Sequence, residues 1–178
     1  MKLKQLFSIV FVVFCFLMPL GAEPLNIMVG DLTFTRPTTW QWKTPDSNSP
    51  AISRFIVPKP DSPAFGDVRF YGAGAEPEGA AKMWKAYFPK EDQETLRTET
   101  TTIGKRTVTY ISLQGTLTLP KDKPLPAQGF VGVVIPYQDR FLHIRFSGPK
   151  ELVEKAIPDL KNMVDTAVRE RESDLENE

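Results

Sequence analysis

Phe130-Val131-Gly132-Val133-Val134-Ile135, a polar break at Tyr137-Gln138-Asp139, then Phe141-Leu142-His143-Ile144-Arg145-Phe146 and Ser147-Gly148-Pro149: this run decides the fold. Two apolar segments of strand length joined by a few polar residues read as a β-hairpin. Val, Ile, Leu and Phe occupy both alternating sets of positions, so these are central strands covered on both faces. The run then turns helical. Ser147 or Gly148 serves as N-cap, Pro149 stands where a missing N–H costs nothing, and Glu151 puts a negative charge at the positive end of the helix dipole. Leu152, Val153, Ala156, Ile157, Leu160, Met163, Val164, Ala167 and Val168 recur at helical spacing and form one stripe that must lie on a sheet. The stripe continues past Pro158, which predicts a kink there rather than two helices.

Working outward, the N-terminus sets the compartment. Lys2 and Lys4 precede an apolar run from Leu6 to Leu20 that closes on Gly21-Ala22. This is the pattern of a secretory signal peptide over residues 1–22, with cleavage after Ala22 and a secreted or periplasmic product. An uncleaved leader would be the one route to the membrane, although the run is short for a span. Cleavage takes away Cys15, the only cysteine of the chain, so neither a disulfide nor a thiolate metal site is available afterwards. Losing Lys2 and Lys4 leaves twenty basic residues against twenty-two acidic ones. That balance gives no electrostatic footprint for nucleic acid or an anionic membrane surface.

Between leader and hairpin, Leu32–Thr35 and Trp40–Trp42 predict a first hairpin across Arg36-Pro37-Thr38-Thr39. Arg54–Val57 and Asp67–Tyr71 read as strands. Gly72 and Gly74 supply a turn into a helix from Pro77 to Phe88, ended by Pro89. Leu96–Ile103 and Arg106–Thr118 are Thr-rich strands, with Val, Tyr and Ile as β-propensity prefers, hinged at Gly104. Residues 119–128 read as a proline-stiffened loop, and Arg169–Glu178, with five acids and one apolar residue, as a disordered acidic tail. One domain over residues 23–168 follows: an α+β fold with an antiparallel sheet of six to eight strands flanked by two helices.

Leu32-Thr33-Phe34-Thr35-Arg36-Pro37-Thr38-Thr39-Trp40 and the order of elements resemble the PsbP-like fold. The later pattern also looks like a group of small secreted bacterial proteins of unknown function with this architecture: Trp84 in a helix before a charged segment, Gly104 between two strands, Gly115-Thr116, and Phe146-Ser147-Gly148-Pro149 before the last helix. The resemblance covers most of residues 32–168. It implies a sheet flanked by helices and a mostly non-enzymatic protein that binds another protein; no site residue is carried over from it.

Chemistry is thinly advertised. A Ser-His-Asp or Cys-His site needs a histidine base, and His143, mid-strand beside Leu142 and Ile144, is the only histidine. A structural, half-buried imidazole is the simpler reading. With a single histidine and no mature cysteine, no zinc site is expected; no loop carries calcium-ligand spacing, and Gly72-Ala73-Gly74 matches no nucleotide fingerprint, so no cofactor is expected either. Trp40, Trp42 and Trp84 read either as core or as an exposed binding platform. The sequence therefore points to an exported non-catalytic module with a protein partner. A sugar- or lipid-binding pocket between sheet and helix, or a carboxylate-dependent hydrolase, are the alternatives.

Overall fold

The computed structural model describes residues 24–119 and 123–177. The leader and its cleavage site lie outside the described residues. Every residue from Phe130 to Ile135 is buried, as two-faced apolar strands require. They lie in β8 (Leu125–Tyr137), which pairs with β9 (Arg140–Pro149) in an antiparallel hairpin closed at Tyr137 and Arg140.

Seven strands make the main sheet. Besides β8 and β9 they are β3 (Gln41–Lys43), β4 (Ser53–Pro58), β5 (Phe65–Gly74), β6 (Arg97–Ile103) and β7 (Arg106–Leu117), in the spatial order β3-β4-β5-β9-β8-β7-β6. Every pairing is antiparallel. The chain walks from one edge inward to β5, crosses to the far edge through helix α1 (Pro77–Lys85) and a 3-10 turn (Asp92–Thr95), and walks back until β9 lies beside β5. The stretch read first is thus the centre of the sheet. With helix α2 (Lys150–Asn177) this is the α+β architecture expected from the sequence.

Two cores form, one on each face. On one, α2 lays Leu152, Val153, Ala156, Leu160, Met163, Val164, Ala167 and Val168 onto Val133, Ile135, Leu142, Ile144, Phe146 and their neighbours. On the other, Ala80 and Trp84 of α1, with Phe88 just after it, cover Ile111, Leu113, Phe130 and Val134. The helix α2 runs through Pro158 unbroken.

Three expectations are corrected. Leu32–Thr35 and Trp40–Trp42 do not pair with each other. Instead β2 (Leu32–Thr35) pairs with β1 (Asn26–Val29) in a separate two-stranded sheet, while Trp42 sits opposite Phe55 in the main one. Gly30, at φ +66°, takes the left-handed conformation that the tight β1–β2 turn needs. The Arg36–Thr39 link is itself turned, with the Trp40 N–H donating to the Pro37 carbonyl at 2.9 Å, so it redirects the chain instead of closing a hairpin.

The tail expected to be disordered from Arg169 onward is helical as far as Asn177. Arg171 joins Arg106 on Asp31, and Glu172 accepts the backbone N–H of Lys105 at 2.6 Å, so the last turns are held by the β1–β2 and β6–β7 turns. Burial alone would raise the Asp31 carboxyl, but the hydrogen bonds and charge of Arg106, with help from Arg171, outweigh it and hold the group below its ordinary range. Within the expected 119–128 loop, β8 already begins at Leu125.

Candidate functional site

The strands alternate, and the alternation explains where polar side chains gather. Val68 and Phe70 of β5, Phe55 and Val57 of β4, and Ile144 and Phe146 of β9 all point into the α2 core. Their neighbours Arg54, Asp67, Arg69, Tyr71, Arg145 and Ser147 therefore face the α1 side. Helix α1 packs on β7 and β8. Among the described residues, three shallow hollows open on the β4–β5–β9 half of that face.

The hollow nearest the helix has a volume of about 240 Å³ and is lined by Arg69, Arg145, Tyr87, Ser147, Asp67 and the apolar trio Leu117, Leu119 and Phe130. A second, of about 400 Å³, shares Asp67, Arg69 and Ser147 with it and extends along Phe65, Leu125 and Pro149. A third, of about 310 Å³, lies on the other side of Arg145, between Tyr71, Arg69 and the Asp46–Pro50 loop. Shared lining residues make them one groove.

Within it, Asp67 is fully engaged. Arg54 reaches it at 2.8 and 3.2 Å and Arg69 at 2.9 Å. Asp46, more exposed, stands 3.8 Å from Arg54 and 3.9 Å from Arg69. Arg145 is different. It is the register partner of Arg69, donates to the Tyr87 hydroxyl at 3.1 Å, and lies 4.1 Å over the Tyr71 ring. Among the described residues no carboxylate comes within ion-pairing distance of it. Burial first, and then the like charge of Arg69, pull the guanidinium down to about 10 against the opposing pull of Asp67, so it is still charged at neutral pH but poorly compensated. Burial also raises the Tyr87 hydroxyl, which stays protonated. The Tyr71 hydroxyl is buried with no hydrogen-bond partner among the described residues.

The residues singled out from sequence are placed as follows. Trp40 is buried in the α2 core against Phe55 and Phe146. Trp84 is buried on the opposite face of the sheet, against Phe130 and His143. Trp42 is partly buried beside the α2 core. The sheet thus separates Trp84 from Trp40 and Trp42, and the fold builds no common platform from the three. His143 is 4% exposed, its Nε2 paired with the Ala75 carbonyl at 2.7 Å. Burial holds it below its ordinary value, with the Ala75 bond opposing. It faces an indole and a glycine rather than a serine and an acid, as a structural imidazole does.

The two carboxylates at the groove, Asp46 and Asp67, both turn to arginines, so the paired acids that a carboxylate hydrolase needs are not presented there among the described residues. Nor do the described residues bring together three or more His, Asp or Glu groups able to hold a metal ion. None of their helices is long and apolar enough to cross a membrane.

The arginines of the groove were not singled out in advance. Arg54 and Arg69 come from consecutive strands and Arg145 from one far along the chain, so no cluster of basic residues appears in the sequence. The available signal was a single arginine inside an otherwise two-faced apolar strand, as in Val68-Arg69-Phe70 and Ile144-Arg145-Phe146.

No family model matches the chain, and no curated protein matches it in sequence. Among solved structures it is similar to the solution structure of cyanobacterial PsbP from Synechocystis sp. PCC 6803, at 11% identity over 82% of this chain and 96% of that one, with a TM-score of 0.46. At that identity the likeness says nothing about the groove.

Proposed function

We propose that this chain is an exported, non-catalytic binding module, and that its working surface is the groove over β4, β5 and β9, where it holds a segment of another protein. The observation that carries the reading is Arg145. A half-buried guanidinium with no carboxylate among the described residues at ion-pairing distance, and only the more distant pull of Asp67, is costly to keep, and a partner that supplies the missing charge explains it. A signal-peptide pattern at the N-terminus favours a role in the periplasm or outside the cell. The described residues of the groove offer hydrogen-bond donors, aromatic rings and aliphatic walls, but among them no nucleophile–base pair, which favours holding over turnover.

Photo-crosslinking of the exported chain tests this. A photoreactive residue at Leu119, in the groove, should give a discrete protein adduct that Arg145→Gln abolishes. The same residue at Lys155, on the outer side of α2, should give none. Equal yields from both positions, or an adduct indifferent to Arg145, would overturn the reading.

A further inference from the structure

We propose that the group read by the groove is the side-chain carboxylate of an Asp or Glu in an extended peptide segment, with an aliphatic residue two positions away resting on Leu117 and Leu119. This rests on the groove being the binding surface and specifies what it selects.

Charge supports a monoanion. The hollows are lined by three guanidinium groups, of Arg54, Arg69 and Arg145, and by two carboxylates, of Asp46 and Asp67. The described lining is left with one positive charge in excess. A carboxylate neutralises that excess, whereas a phosphate dianion would reverse it and would press its second charge against Asp67. Geometry agrees. A guanidinium is a planar fork that matches the two oxygens of a carboxylate. Its neighbours Tyr87 and Ser147 bring hydroxyls to the same hollow, while one face of the guanidinium lies on the Tyr71 ring.

Shape favours a passing chain over a chain end. The groove continues from Arg145 in two directions, towards the Asp46–Pro50 loop and towards Phe65 and Leu125. An extended segment presents alternate side chains to one side. An acid on Arg145 therefore places the residue two positions away over the apolar walls.

The test is a titration of the isotope-labelled exported chain, followed by amide NMR shifts, with the blocked peptide acetyl-Leu-Ser-Glu-Ser-Leu-amide. Its central residue is replaced in turn by Gln and by phosphoserine. The Glu peptide should saturate and move the amides of Leu117, Leu119, Arg145 and Ser147. The Gln peptide should bind at least about tenfold more weakly, as loss of a charge-assisted pair implies, and phosphoserine should bind no more tightly than Glu. Arg145→Gln should erase the difference between Glu and Gln.

Equal binding of Glu and Gln peptides, or clearly tighter binding of phosphoserine, overturns the carboxylate assignment without needing any variant to fold. If the groove crosslinks a partner while the Glu and Gln peptides behave alike, the binding surface stands and only the carboxylate falls. If Leu119 captures nothing and the peptides leave the groove amides unmoved, both fall.

Discussion

One face of the main sheet has two halves built on opposite terms. Under α1, the β7–β8 half is sealed by Trp84, Phe88, Ile111, Leu113, Phe130 and Val134. A few ångströms away, the β4–β5–β9 half carries Arg54, Asp67, Arg69 and Arg145 and stays open. Both halves share the strands' hydrogen bonding and the same opposite core under α2. The difference lies only in which residues alternate with that core. A sheet already anchored on one face can give up apolar cover on part of the other, and the part it gives up is free to bind.

The largest effect belongs to Trp84. Its side chain is fully buried, and it lies so close over Gly132 that a Cβ there would stand 1.9 Å from the indole. Trp84→Ala should cost about 3–5 kcal/mol, because a large cavity opens in close packing. The indole N–H has no partner among the described residues, so Trp84→Phe should cost less than Trp84→Ala. Urea unfolding followed by circular dichroism gives both values. A loss under about 1 kcal/mol for the alanine variant would mean that the sealed half is not close-packed.

Asp67 comes next. Its carboxylate is shared by Arg54 and Arg69, and Asp67→Asn leaves those guanidiniums facing one another with only Asp46 between them in charge. The groups are partly exposed, with side chains between 17% and 30% accessible, so water softens the effect. A loss of about 1–2 kcal/mol is expected in the same unfolding experiment. The acidic peptide should bind more tightly to this variant, since the groove then carries one more uncompensated positive charge. Weaker binding would argue that Asp67 orients Arg69 for the ligand.

His143 stands on the border between the halves, and its effect is read in pH. The folded protein holds its pKa below the ordinary value near 6.5, so the unfolded chain takes up the proton first. Its contribution is present above about pH 6.5 and is lost as pH falls from there towards the folded pKa. Stability measured between pH 7.5 and 5 should decline over that window, and His143→Gln should flatten the decline. The Asp31 carboxyl works in a separate window. Its folded pKa is depressed, so its stabilisation is present above the ordinary value of 3.8 and is lost as pH falls below it.

The sealed half and the opposite core were legible because they follow period rules. Continuous two-faced runs gave β8 and β9, and the 3.6-residue stripe of α2 appears in the core as read. The β1–β2 hairpin was missed because Leu25–Gly30 alternates weakly, while the decisive cue, a glycine at a left-handed position, is common in many loops. The tail was misread because composition counts acids without asking where they reach: Glu172 finds a backbone N–H sixty-seven residues away, and Arg171 finds Asp31. The groove was hidden for the same reason. Near-neutral totals average away three arginines that only the β4–β5–β9 pairing brings together.

The smallest expected effect on stability belongs to Arg145, and it bears hardest on the comparison. In a sealed half, removing a half-buried side chain of this size would be expensive. In an open half built for a ligand, the guanidinium is not used by the fold. Arg145→Met keeps a flexible chain of similar length over Tyr71, gives up the bond to Tyr87 and the cation–π contact with the Tyr71 ring, and removes a poorly compensated charge from beside Arg69. The first two losses are each worth about 0.5–1.5 kcal/mol. Relief of desolvation and repulsion acts in the opposite direction and is of similar size. Stability should therefore stay within about 1 kcal/mol of the parent, while discrimination between the acidic peptide and its Gln counterpart disappears. A loss of more than about 2 kcal/mol would place Arg145 among the groups that hold the sheet together, and the two halves would then differ in chemistry but not in purpose.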